Sequence, residues 1–219
     1  MTRATAVMLA LAFLTPACSA GAADEPPAPA DPEEIIAYHD SGEWDRDTSR
    51  VIRRARRFLE RRRGERSGRR AAIVLDIDDT SLSTYDCLKR FDFNRRASDG
   101  SCAEAAALPA IPQTLELFRY AREHHVAVFF LTGRRERLRG PTVANLRAEG
   151  FTGRWRLMMR PNRERPGTHD GFKARTRRKI RRRGNRIVIN VGDQRSDLRG
   201  GHALRAFKLP NPMYVIRSA

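Results

Sequence analysis

Asp76-Ile77-Asp78-Asp79-Thr80 sets two carboxylates one residue apart, directly after the apolar run Ala71-Ala72-Ile73-Val74-Leu75. A carboxylate buried without a partner carries a large desolvation cost, so these groups belong at the mouth of a strand. Open α/β sheets place their ligands at that edge. Two carboxylates there can hold Mg²⁺, and one can attack a phosphoryl group. Taken alone, the segment reads equally well as a strand followed by an acidic turn.

Three more polar clusters occupy comparable places. Thr132-Gly133-Arg134 follows the apolar run 126–131, and Lys173 opens a helical pattern after Gly171-Phe172. Gly192-Asp193-Gln194-Arg195-Ser196-Asp197 follows Ile187-Val188-Ile189-Asn190-Val191. In a parallel sheet all strand C-termini open on one edge, so the four clusters are expected to meet there. Each then has a task in phosphoryl transfer. Asp76 is the candidate nucleophile. Asp78 lies on the same side if the chain stays extended, and is the candidate acid and base. That role asks for a raised proton affinity, which neighbouring carboxylates favour. Asp76, Asp193 and the backbone carbonyl of Asp78 suit the hard oxygen shell of Mg²⁺. Thr132 and Gly133 offer a hydroxyl and an unobstructed N–H to phosphoryl oxygens, and Lys173 a compact positive charge. Asp79 reads as a solvated carboxylate starting a helix, with entry into the site as the alternative. Arg134 and Arg135 read either as substrate contacts or as surface ion pairs.

The elements that must position these groups alternate along the chain. Helical periods cover 32–38, with Asp31 as N-cap and Pro32 at the first position, then 47–63, 112–124, 137–149 and 173–183. Apolar strands cover 71–76, 126–131, 155–159, 187–191 and 206–209. The alternation predicts an α/β fold with a mostly parallel sheet of about five strands. Residues 81–108 read as mostly irregular.

Composition bounds the setting. Residues 1–23 read as an export signal, with Arg3, a short apolar run over 6–14 and small residues around Ala20-Gly21-Ala22. Residues 24–31 form a Pro- and Ala-rich linker expected to be disordered, leaving 32–219 as one domain. Cys18 follows Leu14-Thr15-Pro16-Ala17, loosely similar to a lipoprotein processing site, so a lipid anchor at Cys18 is the alternative to cleavage. The localisation expected either way is exported: secreted, periplasmic or bound to the cell envelope. No segment is long enough to span a bilayer. Export makes Cys87 and Cys102 a candidate disulfide.

The formal net charge is +17, and only Lys89, Lys173, Lys179 and Lys208 among 43 basic residues are lysines. The arginines concentrate over 50–70 and 175–186, which read as solvated helix faces. They are not interleaved with aromatics, and zinc-finger or RNP-like spacings are absent, so specific nucleic-acid recognition is not expected. Attraction of anionic substrates is.

In this order, the clusters resemble the haloacid dehalogenase superfamily, and specifically its exported acid phosphatase branch (subfamily IIIB), which includes class B-like phosphatases and vegetative storage proteins. Tyr38-His39-Asp40-Ser41-Gly42, residues 73–83, residues 129–135, residues 192–198 and Phe207-Lys208-Leu209-Pro210-Asn211-Pro212-Met213-Tyr214 carry the resemblance. It implies a Rossmann-like three-layer sandwich, Mg²⁺ dependence, an aspartyl-phosphate intermediate and an acidic optimum. It also implies Asp76 as nucleophile, Asp78 as acid/base, Thr132 and Lys173 as phosphate binders, and Asp193 as metal ligand. Asp197 becomes a further ligand or an anchor behind the metal. Lys173 is preferred to Lys179 because it stands where the family's helix begins. Residues 85–108 stand where the superfamily inserts a short partial cap. The expected substrate is a small phosphomonoester. The rival readings are a catalytically weak storage or binding protein on the same fold, and a cationic surface protein that binds polyanions.

Overall fold

The computed structural model describes residues 30–65, 68–98, 100–163 and 169–216, the side chains of 169 and 170 excepted. The expected signal and nearly all of the linker lie outside the described residues. At the linker's end, the Ala30 N–H donates to the carbonyl of Pro212. No helix among the described residues is long and apolar enough to cross a membrane.

Five parallel strands form one sheet. They are β1 (Arg70–Leu75), β2 (Ala127–Arg135), β3 (Arg156–Arg160), β4 (Asn185–Gly192) and β5 (Arg205–Lys208), in the order β3-β2-β1-β4-β5. Every neighbouring pair is parallel, which agrees with the continuous apolar run of β1 and the run of β4 that only Asn190 interrupts. The period-two alternation of β1 divides the interior. Ile73 and Leu75 face the larger core, with α1 (Pro32–Asp40), α2 (Glu43–Arg62) and α5 (Pro112–Glu123). Ala72 and Val74 face a smaller core with Ile180 of α7 (His169–Arg182). The result is a sheet between two helical layers, as expected. Each fully buried leucine or phenylalanine in it contributes about 2 kcal/mol.

α2 shows how the basic composition is accommodated. Trp44, Thr48, Val51, Ile52, Ala55 and Leu59 are its buried residues, spaced by threes and fours, and its arginines occupy the other face. The helix starts four residues earlier than the apolar pattern indicated, because Gly42 adopts φ 69° and turns the chain out of α1.

Residues 85–108 are not wholly irregular. They hold two short helices, α3 (Tyr85–Lys89) and α4 (Ser101–Glu104), joined by a disulfide between Cys87 and Cys102. The 38–42 motif anchors this segment: the His39 ring stacks on Tyr85 with centroids 3.6 Å apart. Tyr38 donates its hydroxyl to Asp47 at 3.0 Å. A 3₁₀ turn over Glu136–Leu138 leads into α6 (Arg139–Ala148), and α8 (Arg195–Leu198) follows β4.

Candidate active site

The strand order reverses direction at β1: β2 lies on one side of it and β4 on the other. The crevice beyond the C-terminal ends of β1 and β4 is therefore the topological switch point. Register sets its contents. Leu75 pairs with Val191, so Asp76 leaves β1 beside the end of β4, where Gly192-Asp193 begins. The Asp76 N–H donates to the Val191 carbonyl at 3.0 Å, and the Ser81 hydroxyl donates to the Asp76 carbonyl at 2.6 Å. A cavity of about 140 Å³ opens there, lined in part by Asp76, Asp78, Gly133, Lys173, Asp193 and Asp197.

Lys173 is buried on the second turn of α7 and donates from Nζ to Asp76 Oδ1 at 2.6 Å and to Asp197 Oδ1 at 2.5 Å. Lys179 is exposed, six residues on and turned away around the helix. Asp76, Asp193 and Asp197 each offer a carboxylate oxygen within 4.8 Å of the others, and all three are buried. Burial, then repulsion from Asp197, pushes Asp76 well above the ordinary carboxylate range, against the pull of Lys173. Asp193 is pushed up to about 7 by burial and by Asp197 and Asp79, although Asn211 and Gln194 hydrogen-bond to it. Three buried carboxylates around one ammonium lack positive charge, and a hard divalent cation would supply it in the form these oxygen donors suit.

Glycine permits the Asp197 approach. A Cβ on Gly192 would overlap the Asp197 side chain, so only glycine lets that carboxylate fold back against the strand end. From there Asp197 Oδ2 accepts the Gln194 N–H at 2.9 Å. At Gly133 the case is the opposite: a Cβ would meet nothing within 4 Å, and the backbone faces open space. Thr132 differs from its expected placement. It is fully buried, does not line the cavity, and its Oγ1 accepts the Arg134 N–H at 3.0 Å.

Asp78 corrects an expectation. Burial raises its carboxyl, but the charge and hydrogen bonds of Arg134 outweigh that and hold it below the ordinary range. The Arg134 guanidinium is buried and donates from Nε to both Asp78 oxygens at 3.1 Å and from Nη2 to Oδ1 at 2.7 Å. Arg134 is thus neither a surface ion pair nor a free substrate contact. Arg135 is the partly exposed one, donating to the carbonyls of Pro161 and Asn162.

Asp79 is not solvated either. It takes φ 52°, a left-handed conformation that Asp tolerates, and is buried. Its oxygens accept from the Thr84 N–H at 2.8 Å, the Thr84 hydroxyl at 2.7 Å and the Tyr214 hydroxyl at 2.6 Å. Burial pushes it up to about 6 against those hydrogen bonds.

Sequence reasoning missed the residues that hold the site in shape. Thr80 donates to Asp193 Oδ1 at 3.1 Å, and Asn211 and Gln194 donate to its Oδ2 at 2.7 and 2.6 Å. Arg177 is fully buried on α7 and donates to the carbonyls of Asp197, Arg199 and Gly201. Its position one turn after Lys173 was the available signal, hidden by the surrounding arginines.

Sequence and structure comparisons identify related proteins. A family model described as HAD superfamily, subfamily IIIB (Acid phosphatase) matches residues 19–217. Acid phosphatase 1 of Solanum lycopersicum is 36% identical over 148 residues, 65% of this chain and 58% of that protein. Vegetative storage protein 1 of Arabidopsis thaliana is 31% identical over 150 residues, 66% of this chain and 55% of that protein. The match thus spans little more than half the length of these relatives. The class C acid phosphatase from Bacillus anthracis shares the fold, with a TM-score of 0.69 over 84% of each chain at 18% identity. With its family model matched over nearly all of its length, the chain belongs to subfamily IIIB of the haloacid dehalogenase superfamily, the acid phosphatases.

Proposed function

We propose that this protein is an exported, Mg²⁺-dependent acid phosphatase that hydrolyses small phosphomonoesters through an aspartyl-phosphate intermediate. The observation that carries the reading is the Asp76–Lys173–Asp197 bridge beside Asp193, at the switch point of a parallel sheet. Such an array suits a phosphoryl group and a hard cation together, and few other ligands.

Asp76 attacks phosphorus: its carboxylate oxygen bonds to phosphorus while the ester P–O bond breaks. Asp78 gives its proton to the departing alkoxide, then takes one from the water that cleaves the aspartyl-phosphate and releases phosphate. Lys173 and the Gly133 N–H hold the phosphoryl oxygens, and Thr132 supports that turn. Asp76, Asp193 and the Asp78 backbone carbonyl would hold Mg²⁺, with Asp197 as a further ligand or as the anchor of Lys173. When bound, the ion neutralises charge on the phosphoryl oxygens and keeps Asp76 ionised. Arg134 supports an acidic optimum. By holding Asp78 low, it leaves the acid form populated only in acidic solution. Residues 85–108 act as a partial cap beside the cavity, and the leader expected over 1–23 carries the export reading.

Similarity to a vegetative storage protein keeps a storage role as the rival. Hydrolysis of an aryl phosphate by wild type and Asp76→Asn, with and without EDTA, separates the two. Turnover that needs both Asp76 and a divalent ion is expected. Equal turnover by both proteins would overturn the mechanism, and none by either would favour storage. Polyanion affinity that falls steeply with salt, without turnover, would favour the cationic surface role.

A further inference from the structure

The cavity at Asp76 is small, about 140 Å³, and suits a phosphoryl group rather than a whole ligand of the usual pocket size. The remainder of any substrate must lie in what adjoins it. A second, more open groove of about 460 Å³ does so, sharing Asp78, Arg95, Gly133 and Tyr214 with the first. Its lining is unusual in charge: Arg95, Arg96, Arg134, Arg135 and Arg137 all contribute, and Asp78 is its one carboxylate among the described residues.

The five guanidinium groups are not equivalent. Arg134 is committed to Asp78, Arg137 to Glu104 at 2.6 Å, and Arg135 to the carbonyls of Pro161 and Asn162. Arg95 and Arg96 are exposed and form no ion pair with a carboxylate among the described residues. Arg95 lies over the Tyr214 ring, 5.2 Å from its centroid, while the Tyr214 hydroxyl is tied to Asp79. The ring that would otherwise stack an aromatic leaving group therefore carries a planar cationic fork instead. That fork sits on the 85–108 segment, whose ends the Cys87–Cys102 disulfide ties together, and Cys102 itself lines the groove.

We propose that this groove is a second-anion subsite, in which Arg95 and Arg96 bind a second phosphate group carried by the phosphomonoester whose first phosphate occupies the Asp76 cavity. The inference rests on the phosphatase reading above and narrows its substrate class to bisphosphates over neutral or aromatic monoesters. An arginine fork meets a phosphate through paired N–H donors, so discrimination between mono- and bisphosphate follows from geometry as well as charge.

The test uses butane-1,4-diol monophosphate and bisphosphate, which differ only in the second phosphate. kcat/KM is measured for the wild type, for R95Q/R96Q, and for R53Q/R54Q as a control of equal charge change on the outer face of α2. Dissociation constants of both compounds are measured by calorimetry on Asp76→Asn protein with Mg²⁺, alone and combined with each pair. After the twofold statistical correction, wild type is expected to prefer the bisphosphate by about 10-fold or more. R95Q/R96Q should remove most of that preference, and R53Q/R54Q should leave it. Equal preference in R95Q/R96Q and wild type, or equal loss in the control, overturns the subsite in favour of no subsite or long-range steering. Absence of turnover with retained preferential binding sinks the phosphatase reading and keeps the subsite. Turnover of both compounds with equal binding does the reverse.

Discussion

Arg134 clasps Asp78 through three hydrogen bonds, from Nε to both carboxylate oxygens and from Nη2 to Oδ1. Asp78 follows β1 and Arg134 lies near the end of the adjacent β2, and Thr142 of α6 accepts from Nη1 of the same guanidinium at 3.1 Å. Asp78 thus lines the cavity with its carboxylate fixed by the fork, and the pair favours its ionised form. A pair of this kind trades proton affinity for orientation, and acidic solution restores the proton.

Removing that clasp raises the Asp78 pKa, because a nearby cation stabilises the carboxylate form. In Arg134→Gln, the alkaline limb of the kcat profile is expected to move to higher pH and the maximal rate to fall about 10-fold or more through lost orientation. Arg134→Lys should recover charge but not the fork, and hence only part of the rate. A pH profile of kcat for the three proteins measures both effects; an unmoved limb in Arg134→Gln would remove Asp78 from the proton-transfer role.

Metal-free protein should be stabler in mild acid than at neutral pH. Burial raises Asp193 to about 7 and Asp79 to about 6, above an unfolded value of about 4. The folded state then binds more protons than the unfolded one between these values. Stability from these groups is complete below the unfolded pKa and is lost as pH rises through 6 and 7. The melting temperature under EDTA is expected to fall by roughly 5 °C between pH 5 and pH 8. Mg²⁺ should raise it more at pH 8 than at pH 5. Thermal scans at the two pH values check both statements; a flat metal-free profile would contradict them.

Arg177 is a positioning residue for Asp197. Arg177→Leu takes the guanidinium donor from the part-buried carbonyls of Arg199 and Gly201 and one of two donors from the buried Asp197 carbonyl, which Asn190 also serves, and costs about 1–3 kcal/mol. Lysine cannot reach three carbonyls at once and should rescue little. Urea unfolding gives the stability loss. A Mg²⁺ titration should show weakened affinity as well, which a purely structural role far from the site would not produce.

The Cys87–Cys102 bridge, with 15 residues of separation, should contribute about 3 kcal/mol by constraining the unfolded chain. Reduction should lower the melting temperature, and should reduce bisphosphate preference more than the rate on an aryl phosphate. Mass spectrometry after alkylation, with and without reductant, reports whether both thiols are engaged.

The sheet and its edge were legible in the sequence because both are written locally. The run 71–75 is apolar on both faces and 187–191 is interrupted only by Asn190, and polar motifs begin where each run stops. Boundaries moved where local geometry intervened, as at Gly42 before α2 and in the two short helices of the disulfide-tied segment. Asn211 and Tyr214 stood in a segment that carried the family resemblance, yet spacing gave them no task.

The sequence by itself determined which carboxylates, lysine and glycines stand at strand ends, and so the family and the type of chemistry. Only the tertiary structure decided their partners. Arg134 and Asp78 are 56 positions apart and Tyr214 and Asp79 are 135, so no local period links either pair. The pairing of β1 with β2 brings Arg134 to Asp78, and the return of the chain after β5 brings Tyr214 to Asp79. Proton affinity depends on that pairing and on burial rather than on residue type. That is why Asp78, expected to hold its proton tightly, holds it loosely, and why Asp79, expected in solvent, is buried against a tyrosine.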